Sequence, residues 1–393
     1  MDLIIFKNGE IILDMFIGKT IKYISYDNLN EIKTEKYGNY IELDKTKTKL
    51  EKLNPYLESI RRSSSKYNYD YELLKVLCKK KVISRSYFKI YEMIYFNDII
   101  KLPTLNCIFL CEAPGGFIDA LLDIRRKNNL TIDYLTISKN DSIIKYNKYI
   151  SKESIIYADI LNIKIINKII NTSKQKFPNG VDLVTGDGGF DIKKYNSQEL
   201  FIFPLLLSEI IIALSIQKEG GTFIIKMFDM CTHNTIILYL ILCTFYEEVK
   251  IIKPLTSRSS NSERYLVCKD FIKINEISKL FIDQLKELFT QIYISEKIYS
   301  IIFPDFNIDK LEKIKLIKII NNEIINNQII AINKSLEMVK NINLFFNKLI
   351  IEIFIGKIKI DDLVKYNNIL NEKIKLCINW LKQYSINTIN VNY

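Results

Sequence analysis

Four charged residues stand where an apolar sequence should not hold them. Lys226 lies inside "GGTFIIKMFD", an otherwise apolar strand candidate in which an unpartnered charge is costly. Asp187 follows the apolar run of "VDLVTGDGGFD", Glu263 directly precedes the run "RYLVC", and Lys89 belongs to the helical stretch "SRSYFKIYE". One buried lysine can be structural, its stem in the core and its ammonium at the surface. Two amines and two carboxylates arriving at one crevice are a candidate reaction centre. A second element is Cys111-Glu112-Ala113-Pro114-Gly115-Gly116-Phe117, "CEAPGGF", which follows "CIFL" and leads into "IDALLDIRR". Strand, glycine turn and helix start in this order bring backbone N–H groups to a ligand, or simply connect two elements. The turn is neither GxxxxGK[ST] nor a full GxGxxG. It suits a ligand without phosphates, of which S-adenosylmethionine (SAM) is the common one.

The elements that must position these residues alternate between strand and helix from about 105 to 272. Strand candidates are 106–110, 133–137, 154–159, 181–187, 221–228, 248–254 and 265–270, with helices at 116–127, 198–217 and 234–246. That order predicts an α/β fold: a doubly wound, mostly parallel seven-stranded sheet with ligands at the C-terminal ends of its strands. The last two strands are joined by a short loop, so one edge strand should be antiparallel. Lys89 then reaches down from a helix over 84–96, with Ser84 placed as its cap. "LIIFKNGEIIL" (3–13) reads as a β-hairpin around Asn8-Gly9. Beyond 275 the chain turns helical, with Ile277, Leu280, Phe281, Leu285, Leu288 and Phe289 on one face and further helices over 309–353 and 361–384. The division expected is an N-terminal extension (1–60), an α/β domain (61–275) and a C-terminal helical region (276–393).

Composition narrows the partners. A net charge of +11 and pI of about 9.0 favour a polyanion such as nucleic acid, against the plain reading of a lysine-rich, solvated surface. Abundant Ile, Asn, Lys and Tyr suggest an AT-rich coding sequence. The seven cysteines form no CxxC pair, which predicts free thiols in a reducing compartment and no metal site. His233 is the only histidine, so a Ser-His-Asp triad would rest on it alone. "MDLIIFKNGE" lacks a basic n-region, and the apolar run 201–216 holds Pro204 and Glu209 and is too short to span a bilayer. The expectation is a soluble, intracellular and cytoplasmic protein with no membrane partner.

These residues resemble the FtsJ-like (RrmJ-type) SAM-dependent RNA 2′-O-ribose methyltransferases, which carry a Lys-Asp-Lys-Glu tetrad. "LCEAPGGF", "DLVTGDGGFD" with "NSQE", "GGTFIIKMFD" and "KPLTSRSSNSERYLVCK" are similar to the branch that methylates the first transcribed nucleotide of capped mRNA. The resemblance covers roughly 84–270. Domains of this kind also occur in large cytoplasmic DNA viruses.

The resemblance implies a Rossmann-like fold with SAM as cofactor and capped mRNA as substrate. Lys226 becomes the general base within the tetrad of Lys89, Asp187, Lys226 and Glu263. Burial and the like charge of Lys89 should lower its pKa, and no metal is needed. Residues 111–117 become the methionine and sulfonium pocket, and Asp159 with neighbouring Ile160 the adenine contact. "TISKND" shows no clear acid for the ribose. Asn196, Ser257, Arg258 and Glu263 face the RNA, and basic residues at 61–62 and 79–81 extend a phosphate track. The C-terminal helices could dock capping or transcription machinery. Methylation of rRNA or tRNA, or a non-catalytic RNA-binding scaffold, are the competing readings.

Overall fold

The computed structural model describes residues 4–7, 22–26, 39–51, 74–75, 77–97, 102–141, 144, 150–189, 198–295, 298–302, 312–354 and 360–388. The seven expected strands are all present. They are β3 (Thr104–Leu110), β4 (Thr131–Ser138), β5 (Ile155–Tyr157), β6 (Val181–Gly186), β7 (Gln217–Met227), β8 (Tyr246–Ile252) and β9 (Arg264–Phe271). An eighth, β1 (Ile4–Lys7), joins the edge, giving the order β1-β8-β9-β7-β6-β3-β4-β5. Pairing from β7 through β6, β3 and β4 to β5 is parallel.

The antiparallel strand expected at an edge is β9, and it lies inside the sheet between β7 and β8. The edge itself is β1, antiparallel to β8. The loop between β8 and β9 is long enough for the returning strand to insert beside β7. The remainder of the expected N-terminal hairpin, with its Asn8-Gly9 turn, lies outside the described residues.

Period-2 alternation sorts side chains between two apolar layers. Ile108 and Leu110 of β3, with Phe223, Ile225 and Met227 of β7, face α4 (Ile163–Lys176), α5 (Gln198–Ile216) and α6 (His233–Phe245). Cys107, Phe109, Leu183, Ile224, Tyr265 and Val267 face α2 (Ser86–Asn97) and α3 (Gly116–Lys127). Lys226 shares its parity with Ile224, Asp187 with Leu183, and Glu263 with Tyr265. All three are therefore delivered to the face that carries α2 and Lys89.

Helix α2 begins at Ser86, not at Ser84; the Ser84 carbonyl accepts from the Tyr87 N–H, and its hydroxyl lies 2.6 Å from that of Ser86. Helix α5 runs longer than its apolar core of 201–216. By length and composition it would suit a bilayer, but Ile202 through Leu214 are largely buried beneath the sheet.

Further elements outside the α/β alternation pack on this body. From the N-terminal side, α1 (Tyr40–Glu51) ties Lys47 to buried Asp229 at 2.6 Å. Then come α7 (Glu276–Ser295), a two-stranded sheet of β2 (Lys22–Tyr26) and β10 (Ile298–Ile302), α8 (Glu312–Phe354) and α9 (Ile360–Gln383). Of the expected apolar face of α7, Phe281, Leu285, Leu288 and Phe289 are buried, while Ile277 and Leu280 are exposed. The packed face runs through Ser278, Phe281, Ile282, Leu285, Leu288, Phe289 and Ile292, and Ile277 and Leu280 lie off it.

Candidate active site

Strand register builds the charged centre. Gly186 pairs with Ile225 and Lys226 with Tyr265, so Asp187, Lys226 and the residue before Arg264 meet at neighbouring strand ends. The result is two ion pairs. Lys226 Nζ stands 3.2 Å from Asp187 Oδ1 and donates to the Asp187 carbonyl at 2.7 Å. Lys89 Nζ stands 2.7 Å and 2.8 Å from the two Glu263 oxygens. The Tyr265 hydroxyl donates to Asp187 at 2.9 Å, and the Ser257 hydroxyl to Glu263 at 2.7 Å.

These partners decide the protonation states. Burial raises the Glu263 carboxyl, but Lys89 and Lys226 outweigh it and hold the group well below the usual carboxylate range. Burial likewise pushes Lys226 down, yet Asp187 and Glu263 raise it further, leaving its pKa above that of an ordinary lysine. The expected lowering of Lys226 is thus reversed: two carboxylates outweigh desolvation, and the resting side chain is an ammonium. The lysine that burial does lower, to about 7, is Lys253, whose ammonium donates to the Asn261 carbonyl, the Asn261 side chain and the Glu263 carbonyl at 2.6, 2.7 and 2.7 Å.

Above the ion pairs opens a cavity of about 790 Å³. Cys111, Ala113, Asp159, Ile160, Asp187, Lys226 and Glu263 all line it. The rest of the "CEAPGGF" turn does other work. The Glu112 carboxylate caps α3, accepting from the Phe117 and Ile118 N–H groups at 2.8 and 3.1 Å, so this helix start is already satisfied from within. Gly115 supplies a left-handed turn at φ 110°. Gly116 admits α2, since a Cβ there would stand 2.0 Å from the Ser86 hydroxyl oxygen. Phe117 is buried against Tyr265, and Pro114 does not line the cavity.

Several contributors escaped sequence reasoning. Asp141 lines the cavity, so "SKND" does place an acid after the second strand of the alternation. Its signal was present but displaced beyond the strand end by Lys139 and Asn140. Glu209 was legible only as a charge interrupting an apolar run. It lies under the Asp187 turn, accepts from the Gly188 N–H at 3.1 Å, and burial pushes it up to about 8. Gly186 and Gly188 make room for it, because a Cβ on either would fall within 2.8 Å of its carboxyl group.

On the substrate side, Ser257 is buried beside Glu263, Arg258 is half-buried in the same loop, and Asn196 lies outside the described residues. Residues 61–62 also lie outside them. Of the basic run 79–81, Lys80 is engaged with Asp119 at 2.8 Å and Asp123 at 3.6 Å, and it lines a separate cleft near the end of α3.

The residues present fit SAM. The cavity volume is that of a small-molecule site. Ile137, Ala158, Ile160 and Leu161 offer apolar walls for a ring, while Asp141 and Asp159 offer acceptors for hydroxyl and amine donors. A Cβ at Gly189 would stand 3.2 Å from Lys226 Nζ, so this glycine keeps the space over the ammonium open.

A doubly wound sheet with a crevice at its strand ends is a Rossmann-like fold. Residues 82–271 match the family model of FtsJ-like methyltransferases, and this region of the chain is an FtsJ-like methyltransferase domain. The cap-specific mRNA (nucleoside-2′-O-)-methyltransferase 2 of Drosophila melanogaster is 26% identical over 238 residues, 56% of this chain and 34% of that protein. The protein of the same name from Danio rerio is 33% identical over 203 residues, 47% of this chain and 27% of its own length. Methyltransferase 1 of that name from Homo sapiens is 33% identical over 196 residues, 45% of this chain and 21% of its own. The chain thus spans at most 34% of the length of these three relatives. A solved structure described as a ribosomal RNA methyltransferase of Plasmodium falciparum aligns at TM-score 0.41 and 22% identity, over 49% of this chain and 99% of that one.

Proposed function

We propose that the chain methylates the ribose 2′-OH of the first transcribed nucleotide of capped mRNA, with Lys226 as the general base. The observation that carries this reading is the coupled pair of ion pairs, Lys89–Glu263 and Lys226–Asp187, on the wall of a cavity sized for SAM. The names of the relatives support cap specificity. SAM, when bound, supplies a methyl group on a sulfonium, which departs as a neutral thioether once the ribose oxygen has taken the methyl.

Lys226 aims its Nζ into the cavity and, when neutral, takes the hydroxyl proton. Asp187 and Glu263 hold it charged at rest, so a further positive charge in the crevice would work against them and free the base form. Asp187 fixes the Lys226 amine from one side, and Lys89 holds Glu263 ionised on the other. Positioning of the hydroxyl against this fixed amine carries much of the rate. The Ser257–Arg258 loop and Asn196 are assigned to the RNA, with Arg258 as a phosphate contact.

The test compares labelled-methyl transfer to cap-0 RNA with transfer to uncapped RNA of the same sequence. Cap dependence requires a rate on capped RNA higher by roughly tenfold or more, a discrimination of about 1.4 kcal/mol. Equal rates on both would move the reading to another RNA substrate.

A further inference from the structure

Helix α9 reaches the site from the far end of the chain, beyond the family-matched region. Trp380, the only tryptophan, is fully buried, with its ring edge-on to Phe88 at 5.5 Å and 4.5 Å from Tyr384. Tyr384 in turn meets Tyr95 edge-on at 5.3 Å. Phe88 and Tyr95 both belong to α2, and Phe88 directly precedes Lys89. The helix that carries one half of an ion pair is thus touched at two points two turns apart, by Trp380 of α9 and by Tyr384 just past its end.

One turn beyond Lys89 on the same helix sits a second acid, Glu92, with no exposed surface. One of its oxygens accepts from the Leu255 N–H at 2.7 Å. The other accepts from the Thr256 N–H at 3.0 Å and the Thr256 hydroxyl at 2.7 Å. Burial raises this carboxyl above the usual range, and the Thr256 and Leu255 bonds only partly oppose it. The Trp380 indole N–H also favours the ionised form. The next residue in the loop, Ser257, donates to Glu263, and Glu263 pairs with Lys89.

These contacts close a ring. Helix α2 and the loop before β9 are latched twice, by Lys89 to Glu263 and by Glu92 to the backbone of 255–256. The second latch fixes the spacing of the first. An apolar residue at 92 would take the acceptor from the buried Thr256 N–H and the part-buried Leu255 N–H, so the loop could not keep its place.

We propose that Glu92 is a positioning residue for the Lys89–Glu263 pair, and that α9 belongs to the same device through Trp380. This deepens the methyltransferase reading and rests on it. The expected consequence is a loss in turnover without a loss in SAM affinity, because neither Glu92 nor Trp380 lines the cavity.

The full chain carrying Glu92→Gln, Thr256→Val or Trp380→Phe tests this. Glu92→Gln should lower kcat by about tenfold to a hundredfold, the scale expected for a misplaced site group, with SAM Kd unchanged within about twofold by equilibrium dialysis. Thr256→Val and Trp380→Phe should each lower kcat by roughly threefold on the same argument and serve if Glu92→Gln does not fold. The acid limb of the pH–rate profile, which Lys226 sets, should move to higher pH, because a Glu263 less neutralised by Lys89 holds Lys226 more strongly as the ammonium. In hydrogen exchange, Glu92→Gln should lose amide protection at 255–257 while 116–127 stays protected. A kcat within twofold of wild type in all folded variants overturns the proposal, as does a lowered melting temperature with an unmoved acid limb. If the wild type methylates no RNA, the functional reading fails by itself, and the exchange experiment still decides the latch.

Discussion

Two walls of the cavity hold charge in different ways. At the rim, Lys139 stands 3.7 Å from Asp159 and 3.9 Å from Asp141, and each of these side chains is at least 43% exposed. On the opposite wall, Lys226–Asp187 and Lys89–Glu263 close to 3.2 and 2.7 Å, with no side chain more than 18% exposed. Exposed pairs are screened and interchangeable with water, so the rim can exchange its ion pairs for a ligand's hydroxyl and amine groups. The buried wall has no such freedom. Its charges were desolvated on folding, the pKa values of Lys226 and Glu263 are displaced, and removing one partner strands the other. The rim is suited to binding and the buried wall to moving a proton.

Lys226→Ala should break the contrast most severely. Methyl transfer should fall by roughly a thousandfold, the middle of the range for a general base, while SAM affinity changes by less than about threefold. Labelled-methyl transfer and equilibrium dialysis measure the two separately, and residual activity within tenfold of wild type would remove Lys226 from the role. Wild-type turnover should also climb with pH, because the raised pKa of Lys226 keeps most of it protonated near neutrality.

Asp141→Ala and Asp159→Ala should do the opposite. SAM binding should weaken by about tenfold, the worth of one charge-assisted hydrogen bond, with kcat at saturating SAM within about threefold of wild type. If kcat fell with affinity, the two walls would not be separable.

The smallest effect belongs to Glu209, and it is a stability effect. Its folded pKa of about 8 lies above its unfolded value near 4.3. The folded state therefore favours the protonated form, and the contribution to stability is full at low pH and lost as pH rises from about 4 through 8. Glu209→Gln, a neutral isostere, should gain on wild type in melting temperature between pH 5 and pH 8. A constant difference across that range would mean Glu209 is ionised in the fold.

Much of the crevice was legible because strand periodicity and local charge are both local signals. Lys226 inside "FIIKM" and Asp187 after "VDLVTG" declared themselves as charges at the ends of apolar runs, and register then brought them together. The glycines of "CEAPGGF" marked the turn correctly, but their purpose was not readable. Gly116 answers to a serine thirty positions earlier on α2, and the start of α3 is capped by Glu112 from within its own turn. Asp141 went unnoticed because it lies three residues past a strand end, where only the tertiary path of the loop turns it inward.

The sequence by itself determined the order of strands and helices, the face to which each strand residue points, and which charges would meet. Periodicity and strand direction are properties of the chain's local geometry. Only the tertiary structure decided the protonation states, because a pKa is set by whichever groups lie within a few ångströms in a desolvated place. It reversed the expected direction for Lys226 and placed the lowered lysine at 253. It also decided that Trp380 of α9, more than a hundred residues beyond the end of β9, packs against the helix that holds Lys89.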